Sequence, residues 1–478
     1  MTTEQPQMIP QATTLEEAQS LIDDLWLKVV TQSRHIETMA KRIEELEERL
    51  GTNSRNSSKP PSTEIHKASH KKNAGSGKKA GGQPGHQGKG RVLFSEDQVT
   101  HIQSCYPSPQ CDCGSEVRTT HTVGRHQTID LPEIKPLVTE YRRYAGTCQG
   151  CGKAHEGRLP VGISARLVGP RLLALIGTLT GGYRLSKRLV QGLLQDVFRI
   201  EVSVGVISQS EAIISAALDD IVQAAHEHIR HAPVVHSDET GHKEKGKKQW
   251  MWVAIAGLVS VFMARASRSA EMAKELLGEA FVGILVSDRY SAYTWVDAAR
   301  RQLCWAHLLR DFTKISERSG TAGQVGDQLL AQAKRMFRYW HQVRDGTLTR
   351  TGFAHAMIHV QARMEAALQQ GIDCGESKTA NTCKRILKVK TALWTFIHTQ
   401  DVEPTNNLAE RTLRTYVIWR KTSFGTQSKR GSLYMERIMT VVGSCKLQGR
   451  NVLEFVTDAL RAHQGNAVAP SLLPACAG

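Results

Sequence analysis

Three carboxylates, Asp238, Asp288 and Glu410, stand where they could jointly bind divalent cations. Asp238 closes the run Pro233-Val-Val-His-Ser, and Asp288 closes Gly283-Ile-Leu-Val-Ser; both runs read as short strands ending at an acid. Glu410 lies in the stretch from Glu403 to Arg414, where Pro404 and Thr405 suit a helix start. In-line displacement at phosphorus puts negative charge on both the attacking and the leaving oxygen. Two Mg²⁺ ions about 3.5–4 Å apart neutralise that charge, and they require several hard oxygen ligands. Any one of these acids alone reads better as a turn cap or an ion-pair partner. All three, at these places in the chain, favour a metal site with Asp238, Asp288 and Glu410 as catalytic ligands.

Cations accompany the third acid. Asn407, Glu410, Arg411 and Arg414 fall three or four apart on one helical face, which offers guanidinium groups to phosphate. Trp419, Arg420 and Lys421 interleave an aromatic ring with cations, a pattern that suits DNA. From Arg411 to Arg450 nine Lys or Arg face a single acid, Glu436, whereas a solvated helix face usually carries both signs. The candidate DNA contacts are therefore Arg411, Arg414, Arg420 and Lys421.

A second kind of metal chemistry is signalled by cysteine pairs. Cys148-Gln-Gly-Cys151-Gly has the two-residue spacer of a zinc knuckle. Cys111-Asp-Cys113-Gly has a one-residue spacer, so Cys105 is an alternative first ligand beside Cys111, and His121, His126 and His155 are further candidates. Read together, the pairs predict a zinc-ribbon-like domain over residues 101–162 holding Zn²⁺ on Cys111, Cys113, Cys148 and Cys151. A small β-domain with reduced thiols is the alternative. Cys304 and His307 read as scaffold of the carboxylate site, because two ligands do not make a structural metal site.

These groups need elements to carry them. Strands over Gln249–Ala256 and Ser260–Ala264, a helix over Ser269–Leu277, a helix over 291–300 and a strand over Arg301–Trp305 complete the order three strands, helix, strand, helix, strand. That order predicts an α/β, RNase H-like catalytic domain, its first part at 232–311 and its last at 401–465. The intervening 312–400 reads as a helical insertion, with apolar stripes Val325, Leu329, Met336, Trp340 and Met357, Val360, Met364, Leu368 as core. Upstream, residues 165–230 form a helical segment resembling a helix-turn-helix, with Leu185, Leu189, Leu193 and Leu194 on one face and Ser203 capping the next helix. Residues 51–100 read as a basic flexible linker, with eight Lys or Arg and one acid between Lys59 and Arg91. Residues 15–50 carry Ile22, Val29, Ile36, Ile43 and Leu50 at every seventh place, with Leu25, Gln32, Met39 and Leu46 on the second seam. This predicts a two-stranded parallel coiled coil and a homo-oligomer; a helix packed on the chain's own body is the alternative.

The 478 residues carry a net charge of +16, which favours a polyanionic partner. The longest nearly apolar run, Trp250 to Ala264, is short of a membrane span and the N-terminus lacks an apolar signal core, so the expected compartment is the cytoplasm, in association with the nucleoid.

Four blocks in order resemble bacterial transposases of the insertion sequence sixty-six group. They are His236-Ser-Asp238-Glu-Thr240-Gly with Trp250 and Trp252; Val286-Ser-Asp288-Arg-Tyr290-Ser-Ala-Tyr293; Cys304-Trp-Ala-His307-Leu-Leu-Arg310; and Asn406-Asn407-Leu-Ala-Glu410-Arg411 followed by Trp419-Arg-Lys421 and Phe424-Gly425. The resemblance runs from the coiled-coil segment to about residue 460. It implies Asp238, Asp288 and Glu410 as the catalytic triad, dependence on Mg²⁺ or Mn²⁺, double-stranded DNA as substrate at element ends and target, and small accessory proteins of the same element. The one-residue spacer of the first cysteine pair departs from the family's usual two. Two rival functions are a DNA-binding regulator whose triad is inactive and a nuclease of the same fold.

Overall fold

The computed structural model describes residues 12–50, 52, 53, 56, 92–161, 163, 166–465 and 467–474. Nearly all of the basic stretch from Gly51 to Arg91 lies outside them. The described residues fall into two compact units, one drawn from Met1–His66, Asp220–Arg450 and Ser471–Gly478, the other from Lys67–Asp219 and Asn451–Pro470.

In the first unit, α1 (Leu15–Leu50) is one uninterrupted helix of 36 residues. Its heptad side chains Ile22, Val29, Ile36 and Ile43 are more than half exposed. The alternative of a helix buried on the chain's own body is therefore not what the structure shows.

The second unit holds β1 (Ala145–Thr147) and β2 (Ala154–Glu156), an antiparallel hairpin. Regular structure between residues 101 and 162 amounts to little more than this. Then follow α2 (Pro170–Gly177), a π-helical turn (Thr178–Gly182), α3 (Lys187–Phe198) and α4 (Val204–Ala217). Ser203 caps α4 by accepting from the Val206 amide at 3.2 Å, as its sequence position implies. The α3 face differs from expectation: the helix begins at Lys187, Val190 and Leu194 are buried, and Leu189 is exposed. The break from Arg199 to Ser203 opens with Arg199 in the left-handed region at φ 56°.

In the first unit again, α5 (Asp219–His231) leads into β3 (Val234–Glu244), β4 (Lys247–Ala256), β5 (Val259–Arg265), α6 (Ala270–Leu277), β6 (Ile284–Ser287) and β7 (Arg301–Leu303). The sheet order is β5-β4-β3-β6-β7, with β5, β4 and β3 antiparallel and β3, β6 and β7 parallel. The mixed α/β class is as expected, with two local differences. Residues 291–300 form two 3-10 turns, Ser291–Tyr293 and Ala298–Arg300, instead of a helix. And β3 does not end at Asp238. It continues to Glu244 because Lys245 and Gly246, both at positive φ (49° and 75°), turn the chain tightly into β4.

Helices α7 (Trp305–Ser316), α8 (Gly320–Arg344), α9 (Arg350–Ile372), α10 (Ser377–Leu387) and the short α11 (Thr395–His398) form the insertion. Both expected apolar stripes are buried, in one core with Val286, Leu303 and Trp305 of the sheet region. Gly326 permits the approach of α8 to α7: a Cβ there would lie 2.2 Å from the Ser316 amide nitrogen. The chain returns through α12 (Asn407–Ser423) and α13 (Lys429–Leu447), and α14 (Val452–His463) packs with α2 and α4 in the second unit. Helix α13 covers the edge strand β5, where Ser444 Oγ and Thr440 Oγ1 accept from the amides of Ser260 and Phe262 at 3.0 and 2.9 Å. Those donors would otherwise be an open sheet edge. None of the described helices is long and apolar enough to cross a membrane.

Candidate active site

The parallel register of β3 and β6 pairs Val234 with Ile284, Val235 with Leu285 and His236 with Val286. Two residues further along the same register, Asp238 comes level with Asp288. So although β3 runs on, its pairing with β6 stops at His236, and both aspartates stand just past that point. Asp238 Oδ1 accepts from the Glu239 amide and Asp288 Oδ1 from the Tyr290 amide, each at 2.9 Å. Burial pushes the Asp238 carboxyl up to about 8, with Glu239, Asp288 and Glu410 adding like-charge repulsion. Four carboxylates therefore share one local field.

Alternation along β3 sorts its side chains. His236, Thr240 and His242 meet α12 or α13: His236 reaches Asn406, Thr240 reaches Arg420, and His242 reaches Tyr416 and Ser432. Ser237 and Glu239 meet Tyr293 instead. Asp238 shares the first register with His236, on the side of the helix that carries Glu410. Glu239 has a different task. It is buried, ion-paired to Arg268 and hydrogen-bonded by the Tyr293 hydroxyl. It thereby ties the segment following Asp288 to the strand carrying Asp238. Glu239 and Tyr293 lie within the sequence blocks above with no role assigned there, although strand alternation already requires Glu239 to face away from Asp238.

Asn406 positions the third acid. It is the residue preceding α12, its side chain engaged elsewhere and not with the helix amides, and it is 2 % exposed. Its Nδ2 donates to the Ser237 carbonyl at 2.8 Å, and its Oδ1 accepts from His236 Nδ1 at 3.1 Å. Its backbone amide donates to Cys304 Sγ at 3.1 Å, and the Trp305 amide donates to the Pro404 carbonyl at 2.9 Å. One side chain thus fastens the start of α12 to β3 beside Asp238, while its amide fastens it to the start of α7. One turn on, Glu410 Oε1 accepts from His307 Nε2 at 3.2 Å. That hydrogen bond holds Glu410 below the usual carboxylate range. Burial opposes the His307 charge, but the Glu410 partner and Asp288 raise the imidazole above its ordinary value.

Among the described residues, the group of three or more potential metal ligands whose atoms lie within 4.8 Å of one another is Cys304, His307 and Glu410. Asp238, Asp288 and Glu410 do not close to that distance as a set; each is held by the local hydrogen bond given above. No three of Cys105, Cys111, Cys113, Cys148 and Cys151 do so either. Each cysteine pair nevertheless makes a tight turn. Cys148 N donates to Lys153 O and Gly152 N to Cys148 O, both at 2.9 Å, with Gly152 at φ 71°. Cys111 N donates to Ser115 O at 2.9 Å and Gly114 N to Cys111 O at 2.8 Å, with Gly114 at φ 85°. The second turn is the first shortened by one residue. Backbone N–H groups directed at sulfur lower the Cys148 thiol, and those around Ser115 lower Cys113 to about 7, which favours the thiolate a metal needs. Cys105 lies outside both turns.

The cationic face of α12 is partly as expected. Arg411, Arg414 and Lys421 are exposed. Arg420 is turned inward, donating to Thr240 Oγ1 at 3.2 Å and to the Gly241 carbonyl. Trp419 is 8 % exposed and stacks on Tyr416 with ring centroids 5.5 Å apart. The aromatic of that triplet is therefore core and is not a platform for bases, because it lies on the buried face of α12 with Ala409, Leu413 and Tyr416.

The chain is 26% identical over 403 residues to an uncharacterized protein, y4qI, of Sinorhizobium fredii (strain NBRC 101917 / NGR234), covering 75% of this chain and 72% of that one. A second uncharacterized protein of the same strain, y4jD, is 23% identical over 262 residues, covering 48% of this chain and 50% of its own length. Residues 6–92 match a family of unknown function (DUF6444). Residues 166–433, which include both aspartates, Asn406, His307 and Glu410, match the profile of the Transposase IS66 family, and the chain belongs to that family.

Proposed function

We propose that the protein is a DNA transposase that cuts and joins strands at the ends of its insertion sequence by metal-dependent phosphoryl transfer in an RNase H-like domain. The observation that carries this is the level placement of Asp238 and Asp288 on adjacent parallel strands, with α12 pinned beside them through Asn406 so that Glu410 enters their field. The donor set fits Mg²⁺ or Mn²⁺: it is all carboxylate, and burial together with like-charge repulsion drives Asp238 up to about 8, a cost that a bound cation offsets. Asp238, Asp288 and Glu410 would hold such ions, which would supply Lewis-acid activation of water or a DNA 3′-hydroxyl and charge stabilisation of the leaving oxygen.

The chain's own residues do the rest. Glu239, Arg268 and Tyr293 fix the distance between the two aspartate segments. His307 orients Glu410. Arg411, Arg414 and Lys421 present positive charge to phosphate along the exposed face of α12. No group at the site is an obvious covalent nucleophile, which favours direct transfer. The exposed seam of α1 supports self-association, and the two cysteine turns support one Zn²⁺ ion. Accessory proteins of the same element and a cytoplasmic, nucleoid-associated location complete the reading.

The test is strand transfer with element ends. Asp238→Ala, Asp288→Ala and Glu410→Ala should each abolish cleavage and joining while duplex binding stays intact or tightens. Retained transfer in any one of them removes that acid from the assignment; for Glu410 the next candidate is Glu403.

A further inference from the structure

Cys304, His307 and Glu410 come from two helix starts. Cys304 is the residue preceding α7, His307 lies in the first turn of α7, and Glu410 lies in the first turn of α12. A sulfur, an imidazole nitrogen and a carboxylate oxygen, one from each, all lie within 4.8 Å of one another. The sulfur is fixed: Cys304 is 1 % exposed and Sγ accepts the Asn406 amide at 3.1 Å. The other two side chains are partly open to solvent, at 24 % for His307 and 31 % for Glu410. A tetrahedral ion with metal–ligand bonds near 2.0–2.3 Å needs its ligand atoms roughly 3.3–3.8 Å apart, so closure asks for movements of about 1–1.5 Å at most. Rotation of His307 and Glu410 supplies that. Backbone amides at the start of α7 and from Asn406 face the Cys304 sulfur, but burial outweighs them and pushes the thiol up to about 11, so the metal itself must supply the stabilisation of the thiolate.

The chemistry of this set differs from that of the aspartates. Thiolate plus imidazole selects Zn²⁺ or Co²⁺ over Mg²⁺, and three protein ligands with an open fourth position are a regular zinc arrangement. We propose that Cys304, His307 and Glu410 form a binding site for a zinc-class divalent ion, separate from the carboxylate centre but sharing Glu410 with it. On binding, the Cys304 thiol gives its proton to solvent, the His307 Nε2 proton leaves likewise while the neutral imidazole holds its one proton at Nδ1, and an Sγ–metal bond and two bonds from Nε2 and the Glu410 carboxylate replace the His307–Glu410 hydrogen bond. The inference rests on the catalytic reading for its consequence: an ion held here withdraws Glu410 from Asp238 and Asp288, so zinc inhibits magnesium-supported transfer.

Cobalt titration of the metal-stripped full-length chain reads the site directly through thiolate-to-cobalt charge transfer. The Cys148→Ser variant keeps the signal of this site while losing that of the other cysteines. Cys304→Ser loses the corresponding absorption and one equivalent of cobalt. His307→Ala and Glu410→Gln weaken this component at least about tenfold. Unchanged stoichiometry and spectrum in folded Cys304→Ser and His307→Ala would overturn the site, and His307→Ala decides alone where Cys304→Ser does not fold. Loss in those two with no effect of Glu410→Gln would overturn the sharing. Transfer rates that ignore zinc at concentrations displacing the cobalt signal would overturn the inhibition. Failure of the catalytic reading looks different: Glu410→Ala would remain active in strand transfer while the cobalt signal still depended on Cys304.

Discussion

At the scale of single residues, buried polar groups hold the site in register. Asn406 has both side-chain ends engaged and a buried neighbour at each. Asn406→Ala leaves the Ser237 carbonyl and His236 without those partners, which costs about 1–3 kcal/mol for each group left unpaired. It also frees the start of α12. Denaturant unfolding should therefore show lower stability, and strand transfer should fall more steeply than DNA binding, since Arg411 and Arg414 are untouched. His242 supplies a pH-dependent case. It is 2 % exposed and hydrogen-bonded to Tyr416, Ser432 and Thr426. Burial pushes its imidazole down to about 4 from an ordinary 6.5, with Glu244 opposing and Arg420 assisting. The folded state then binds this proton less readily than the unfolded one. Its contribution is complete above pH 6.5 and is lost as pH falls toward 4, at a limiting slope of about 1.4 kcal/mol per pH unit. His242→Gln should flatten the pH dependence of the unfolding midpoint between pH 6.5 and 4; identical slopes in the two proteins would exclude this role.

At the scale of elements, the helix α1 has its apolar seam on the surface over its whole described length, with Ile36 and Ile43 at 62 % and 56 % exposure. An amphipathic helix of 36 residues with that seam unburied gains most by pairing with a second copy. Replacing Ile36 and Ile43 together by Asp puts charge into such a seam, and light scattering should show a smaller assembly with the α/β unit still folded. An unchanged mass would assign assembly to another surface. Helix α12 shows the opposite economy: one face, through Ala409, Leu413, Tyr416 and Trp419, is buried, and the other displays Asn407, Arg411 and Arg414. Its position between sheet and solvent is what lets Glu410 belong to both.

At the scale of the whole molecule, a net charge of +16 makes duplex binding strongly dependent on salt, since each neutralised phosphate releases counterions. Duplex affinity should fall steeply between low and physiological salt, and Arg411→Ala with Arg414→Ala should reduce the slope of log K against log salt by about 1 per lost phosphate contact. A flat salt response would contradict the electrostatic footprint. The same charge, the heptads of α1, the five strands with the helix between the third and fourth, and the two stripes of the insertion were legible from residue types and spacing alone, because they rest on local periodicity and composition, whereas the helix expected over 291–300 is two 3-10 turns. Asp238, Asp288 and Glu410 were legible as candidates for the same reason, each marked by its place against an element. Tertiary structure decided what periodicity cannot encode. The register of β3 on β6 sets the aspartates level, the pairing ends at His236 while the strand runs on, and Asn406 crosses from α12 to β3. Trp419 and Arg420 turned inward while Lys421 beside them stayed exposed, since which helix face meets the sheet depends on the partner surface. Cys304, His307 and Glu410 met because Pro404 and Asn406 bond to the start of α7 across about a hundred intervening residues, a contact no local pattern announces.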